Sequence, residues 1–139
     1  MTVYLADSSI WGWADRGRRP DIAYRLASRS ERDEVATCIP VALESLHHAR
    51  TGSEYDTLVE ELEPIRWLPT DHAVLERAFE VQHSLAHTGH GYHRRPALDF
   101  MIAATAELAG PDVVLWAFDR DMAVICEHTG QPCELESAD

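Results

Sequence analysis

V-Y-L-A-D-S-S-I-W, residues Val3 to Trp11, sets a short apolar run against an acid, two serines and a second apolar segment. Val3 to Ala6 reads as a buried strand, and a short helix is expected from about Ser9. Asp7 at such a junction has two readings. It caps the first helical turn by accepting backbone N–H groups, or it belongs to a site at the end of a sheet. The choice depends on whether other carboxylates, distant in sequence, reach the same place.

Outward from this stretch, apolar strands alternate with helical patterns. Strands are predicted at Val35 to Ile39, Ile65 to Leu68, Val113 to Phe118 and Cys133 to Leu135. Between them, helical spacing runs from about Pro20 to Arg29, from Pro40 onward, over Glu54 to Glu63, and from Asp71 towards His87 with Thr70 as its cap. In the helix starting at Asp71, Val74, Leu75, Ala78, Phe79 and Leu85 fall on one side. Thr88 to Pro96, T-G-H-G-Y-H-R-R-P, is a loop by its glycines and proline. Pro96 then opens the helix P-A-L-D-F-M-I-A-A-T-A-E-L-A-G, ended by Gly110, whose alanines permit close approach to a sheet. The alternation implies an α/β fold with a mainly parallel sheet of about five strands covered on both faces. The 139 residues suit one domain, residues 1–139.

Composition excludes several chemistries. The formal net charge is −12, and all 12 basic Lys and Arg positions are arginine. A chain without lysine has no Schiff-base or P-loop lysine chemistry. It also lacks the lysine that a phospho-acceptor receiver domain needs, and D-S-S after the first strand departs from the D-x-D of haloacid-dehalogenase-type phosphatases. The acidity opposes non-specific nucleic-acid affinity, so a polyanionic substrate must be met by a local basic patch, a bound metal, or both. No basic-then-apolar leader or bilayer-length apolar run is visible, and a cytoplasmic protein is expected. Cys38, Cys126 and Cys133 lack metal-ligand spacing and read as reduced thiols.

The acids follow the strand ends. Asp7 ends the first strand and Asp119 follows the fourth, with Asp121 two residues on; Glu44 lies early in the helix after the second strand, and Asp99 in the first turn of the alanine-rich helix. Carboxyl ends of parallel strands are where ligands bind in open sheets. Individually, these acids are also ordinary caps or surface groups. Together they are costly: two like charges about 5 Å apart repel by about 3 kcal/mol at an effective dielectric of about 20. Such a cluster needs a compensating cation or a strongly raised pKa, and oxygen-only ligands point to Mg²⁺ or Mn²⁺. The acids of Glu54 to Glu63 read as a solvated face. Arg94 and Arg95, just before Asp99, are candidates for substrate phosphate contacts, with Arg16, Arg18 and Arg19 a second set. His83 and His87, one helical turn apart, have no partner spaced to complete a metal site. Trp11 and Trp13 read as core or dimer contacts.

In order, L-A-D-S-S-I-W, I-P-V-A-L-E, P-A-L-D-F-M-I-A-A-T-A-E-L-A-G and V-V-L-W-A-F-D-R-D-M-A-V-I-C-E-H-T-G-Q-P resemble the PIN domain, specifically VapC-type toxins of toxin–antitoxin systems. The resemblance covers nearly the whole chain. It implies a three-layer α/β/α sandwich and a metal-dependent endoribonuclease, usually homodimeric, silenced by a VapB-like antitoxin in a heterotetramer or larger assembly. By position, Asp7, Glu44, Asp99 and Asp119 match the family's acids, with Asp121 additional. Asp7, Asp99 and Asp119 would hold the metal, and Ser9 falls at a small polar residue supporting the first acid and the substrate. Ala117 departs from the family's usual Thr or Ser two residues before the fourth acid. A metal-activated water would cleave RNA without a protein nucleophile. The alternatives are a catalytically silent module of the same fold and a PIN-type DNA nuclease.

Overall fold

A computed structural model describes residues 1–137 apart from Arg16 and Asp119, and the backbone alone of Arg120. Five strands, β1 (Val3–Ala6), β2 (Val35–Thr37), β3 (Arg66–Trp67), β4 (Val113–Ala117) and β5 (Cys133–Leu135), form one parallel sheet in the order β3-β2-β1-β4-β5. The helices are α1 (Ser8–Asp15), α2 (Pro20–Glu31), α3 (Ile39–Leu46), α4 (Gly52–Leu62), α5 (His72–Ala86), α6 (Ala97–Ala109) and α7 (Arg120–Thr129).

Both sheet faces are buried, as side-chain alternation requires. Ala6, Val35 and Trp116 face α1 and α2 with Ile10, Ile22 and Leu26. Leu5, Ala36 and Leu115 face the other layer, which draws Val74, Ala78 and Leu85 from α5, Ile102, Ala103 and Ala106 from α6, and Met122 and Ile125 from α7. This is the three-layer α/β/α sandwich. The small side chains of α6 let it sit beneath α5 and α7, and Phe100 and Ile102 through Ala106 are all buried. Among the described residues, no helix is long and apolar enough to cross a membrane.

Local details depart from the sequence reading where tertiary contacts compete. Ile39 starts α3 rather than ending β2, because Pro40 in the first helical turn fixes a helical φ while Cys38 remains extended. Asp71, not Thr70, caps α5 by accepting from the Val74 N–H; the Thr70 hydroxyl bonds Thr105 of α6 instead, at 2.8 Å. Pro96 precedes α6 as its cap residue. Leu75 and Phe79, placed on the same side as Val74, are 43% and 72% exposed, so only part of the α5 apolar stripe reaches the core.

Candidate active site

The strand order reverses at β1 and β4: the chain leaves β1 towards β2 and β3, then returns across the sheet to β4 and β5. Connections diverging to opposite faces open a crevice at the carboxyl ends of these strands. Asp7 stands at the end of β1, where its N–H donates to the Trp116 carbonyl of β4 at 2.9 Å. The Asp7 carboxylate accepts from the Ser9 N–H at 2.5 Å, so it caps α1 from the end of β1. The capping reading of the opening stretch therefore holds.

Asp7 and Asp99 are 2% and 4% exposed, the only carboxylates among the buried polar residues described. Asp99 owes its place to α6: helical geometry puts it in the first turn, beside Phe100 and one turn before Ala103. Glu44 of α3 is half-buried and accepts a hydrogen bond from the Ser8 hydroxyl at the start of α1, which ties α3 to the residue after Asp7. Ser9 acts beside its neighbour: its hydroxyl accepts from the Phe118 N–H at 3.2 Å and holds the β4 exit against α1. That role is one of positioning; the resemblance pointed to Ser9 as a support for the first acid but gave no sign of its bond to Phe118.

On the opposite rim, Asp121 in the first turn of α7 is paired with Arg95. Arg95 also donates to the Tyr92 carbonyl at 3.2 Å and lies over the Tyr92 ring. The guanidinium thus tethers the 88–96 loop to α7. Arg94 is exposed. Arg19 is drawn away to Asp21 and to the Ser137 carbonyl, Arg18 is exposed, and Arg16 lies outside the described residues. Asp119, expected as the fourth acid, also lies outside them. Cys38, at the end of β2, is buried; desolvation pushes its thiol up, against hydrogen bonds involving Val41, Thr70 and Thr105. It is no nucleophile.

Among the described residues no three His, Cys, Asp or Glu side chains are gathered into a metal-binding group. The donor chemistry nevertheless fits a hard divalent ion. Asp7 at the end of β1 and Asp99 in the first turn of α6 are almost wholly buried, and burial of a charge is tolerated when it is paired or coordinates a metal. Mg²⁺ characteristically takes one or two carboxylates and keeps several waters. His83 and His87 stack on one another at 4.6 Å, with His128 bonded to Ser84 nearby.

Beside the acids, a groove of about 630 Å³ runs between α1, α3 and α4. Trp11, Trp13, Leu26, Leu46, Leu58 and Leu62 supply its apolar lining, and Asp15, Glu44, Glu54 and Glu61 its acidic groups. Two buried polar atoms in its wall, Trp11 Nε1 and Ser45 Oγ, have no hydrogen-bond partner within the chain. Glu54 and Glu61, read from sequence as a solvated face, are exposed and also border this groove.

Comparison with known proteins matches this architecture. The family model described as PIN domain covers residues 4–127. Ribonuclease VapC18 of Mycobacterium tuberculosis is 35% identical over 133 residues, 95% of this chain and 93% of that protein. Ribonuclease VapC51 of the same organism is 29% identical over 131 residues, 94% and 90% of the two chains. Among solved structures, a chain of the DNA-bound VapBC from Salmonella typhimurium superposes with a TM-score of 0.76 at 16% identity, covering 96% of this chain and 98% of that one. VapBC2 from Rickettsia felis, bound to a promoter DNA fragment, gives 0.74 at 13% identity, with 96% and 98% covered. With the parallel sheet, the strand-end acids and these matches together, the chain belongs to the PIN-domain family, among its VapC-type proteins.

Proposed function

We propose that this chain is the ribonuclease toxin of a VapBC-type toxin–antitoxin pair, acting in the cytoplasm on RNA through a divalent metal site. The observation that carries the reading is the near-complete burial of two carboxylates, Asp7 at the end of β1 and Asp99 in the first turn of α6. Asp7 and Asp99 would hold Mg²⁺ or Mn²⁺, with Asp119 as the further ligand expected from its position after β4. A bound divalent ion supplies Lewis acidity to the scissile phosphate and lowers the pKa of a coordinated water. The chain's own groups prepare that chemistry. The Ser9 N–H fixes one Asp7 oxygen, and the Ser8 hydroxyl aims Glu44 from α3, where it can accept a proton from the attacking water. Arg95 holds Asp121 and orders the loop that presents Arg94, the freer of the two arginines, to substrate phosphate.

The groove fits the antitoxin. An apolar floor with an acidic rim suits an amphipathic segment carrying arginine or lysine, and the Trp11 indole and Ser45 hydroxyl offer it unfilled hydrogen bonds. A basic side chain continuing past Glu44 would enter the acid site in place of metal and RNA. The VapB of the related VapBC complexes is the precedent for such a partner. A second copy of the chain suits the opposite side, where Leu75 and Phe79 of α5 stand exposed above a 210 Å³ hollow floored by Phe100 and Met101.

The test is RNA cleavage by the purified chain with Mg²⁺ or Mn²⁺ and with chelator. Wild type is expected to cleave only with metal. Asp7→Asn or Asp99→Asn should reduce the rate by at least about 100-fold, an effect of the size seen when a metal or its orienting groups are disturbed, while Glu60→Gln on the exposed face of α4 leaves it unchanged. Equal rates in Asp99→Asn and Glu60→Gln would refute the site. Cleavage of DNA and not RNA would favour the DNA-nuclease reading. Folded wild type that binds a neighbour-encoded basic protein but cleaves nothing would favour the silent module.

A further inference from the structure

The site described above uses none of the three thiols, yet two of them meet. Cys126 lies in the second half of α7 and Cys133 begins β5, with six residues between them. The chain turns back sharply there: the Gly130 N–H donates to the Cys126 carbonyl at 2.8 Å, with Gly130 at φ 75°. Cys133 then pairs with Leu115 of β4 on the edge of the sheet. This turn brings the two side chains together on the α7 face, where Cys126 is buried in the core and Cys133 packs against it only partly covered. The chain path thus sets both thiols on one side of the sheet edge, near enough for each to perturb the other.

We propose that Cys126 and Cys133 are an oxidant-responsive dithiol, a site of reversible intrachain disulfide formation by hydroperoxides that clamps α7 to the edge strand β5. The two sulfurs are unequal in a way that suits the chemistry. Interaction with Cys126 lowers the Cys133 thiol below its ordinary range, while interaction with Cys133 and burial push Cys126 up. Cys133, the more acidic and the more accessible, is the peroxidatic sulfur. Its thiolate attacks one peroxide oxygen; the S–O bond forms, the O–O bond breaks, and the departing hydroxide takes up the proton lost by Cys133 as water. The Cys126 thiol then attacks the sulfenic sulfur, and its proton leaves with the hydroxyl group as a second water. Two thiols lose two electrons in all, and one hydrogen peroxide becomes two waters. Cys38 is buried between β2 and α3 and takes no part.

The experiment treats the full reduced chain with hydrogen peroxide, blocks remaining thiols in denaturant and digests with trypsin. Both cysteines fall in the single peptide 121–139, because no basic residue follows Arg120. That peptide is expected to lose two mass units and resist alkylation, while Cys38 alkylates fully. Reduction should restore both thiols. Closing an eight-residue loop should raise Tm by roughly 8 °C in the oxidised form. In Cys126→Ala the disulfide is lost and Cys133 is trapped by a sulfenic-acid reagent; Cys133→Ser, on the edge strand, abolishes both products without opening the core. Alkylation of Cys126 alongside a sulfinic Cys133, or oxidation of Cys38 at a comparable rate, would overturn the proposal.

Discussion

Arg29 of α2 offers a sharp test of how the chain's carboxyl-terminal strand is held. Its side chain is 12% exposed and forks onto Glu134 of β5, with Nη1 and Nη2 at 2.7 and 3.1 Å from the two carboxylate oxygens. Its guanidinium also lies 3.7 Å from the Tyr4 ring centroid on β1 and 4.3 Å from that of Trp116 on β4. One side chain thus joins α2 to three strands. Glu134 is one-third exposed, so the ion pair is discounted for screening to about 1 kcal/mol. Each partly desolvated cation–π contact adds about 1 kcal/mol. Arg29→Ala is therefore expected to cost about 3 kcal/mol, a fall in Tm of roughly 10 °C for a chain of this size. Arg29→Lys keeps a charge but loses the fork and the planar stacking, and should cost about half as much. Thermal and urea unfolding followed by circular dichroism measure both. In a double-mutant cycle with Glu134→Gln, the coupling should be about 1 kcal/mol. A loss under about 2 °C in Arg29→Ala would show that the stack is a surface ornament and the reasoning wrong.

Two other outcomes are expected. Glu136 accepts from Arg25 at 2.5 Å and from the Trp116 indole at 2.9 Å; the Arg25 bond is the main cause that lowers its pKa below the ordinary glutamate value. The native state therefore binds this proton less readily than the unfolded chain, so the stabilisation is present above the ordinary glutamate pKa and lost as pH falls through the lowered one. Unfolding midpoints between about pH 6 and 3 should fall less steeply in Glu136→Gln than in wild type, and parallel curves would contradict the assignment. Separately, millimolar Mg²⁺ or Mn²⁺ should raise Tm in wild type by mass action and leave the Asp7→Asn, Asp99→Asn double variant unchanged; equal shifts would place the metal elsewhere.

Period and punctuation made most of this fold legible in the sequence. β1 and β5 match their expected bounds, and α6 ends at Gly110 as expected, because a buried strand or an alanine-rich helix imposes its pattern locally. Asp7 could be placed after β1 because the carboxyl end of a strand is a position along the chain as well as in space. What the tertiary structure decided were choices between partners. Thr70 is a good cap in isolation, but Thr105 lies across from it and Asp71 supplies the cap. Leu75 and Phe79 belong to the apolar pattern of α5, yet α6 is too narrow to cover them. Arg95 looked free for phosphate and is spent on Asp121, a residue 26 positions away. Ser8 reaching Glu44 over 36 positions, and Cys126 meeting Cys133 across a turn, likewise depend on how elements pack. Periodicity records which face of an element is apolar; which polar group meets which is settled only when the sheet brings the elements together.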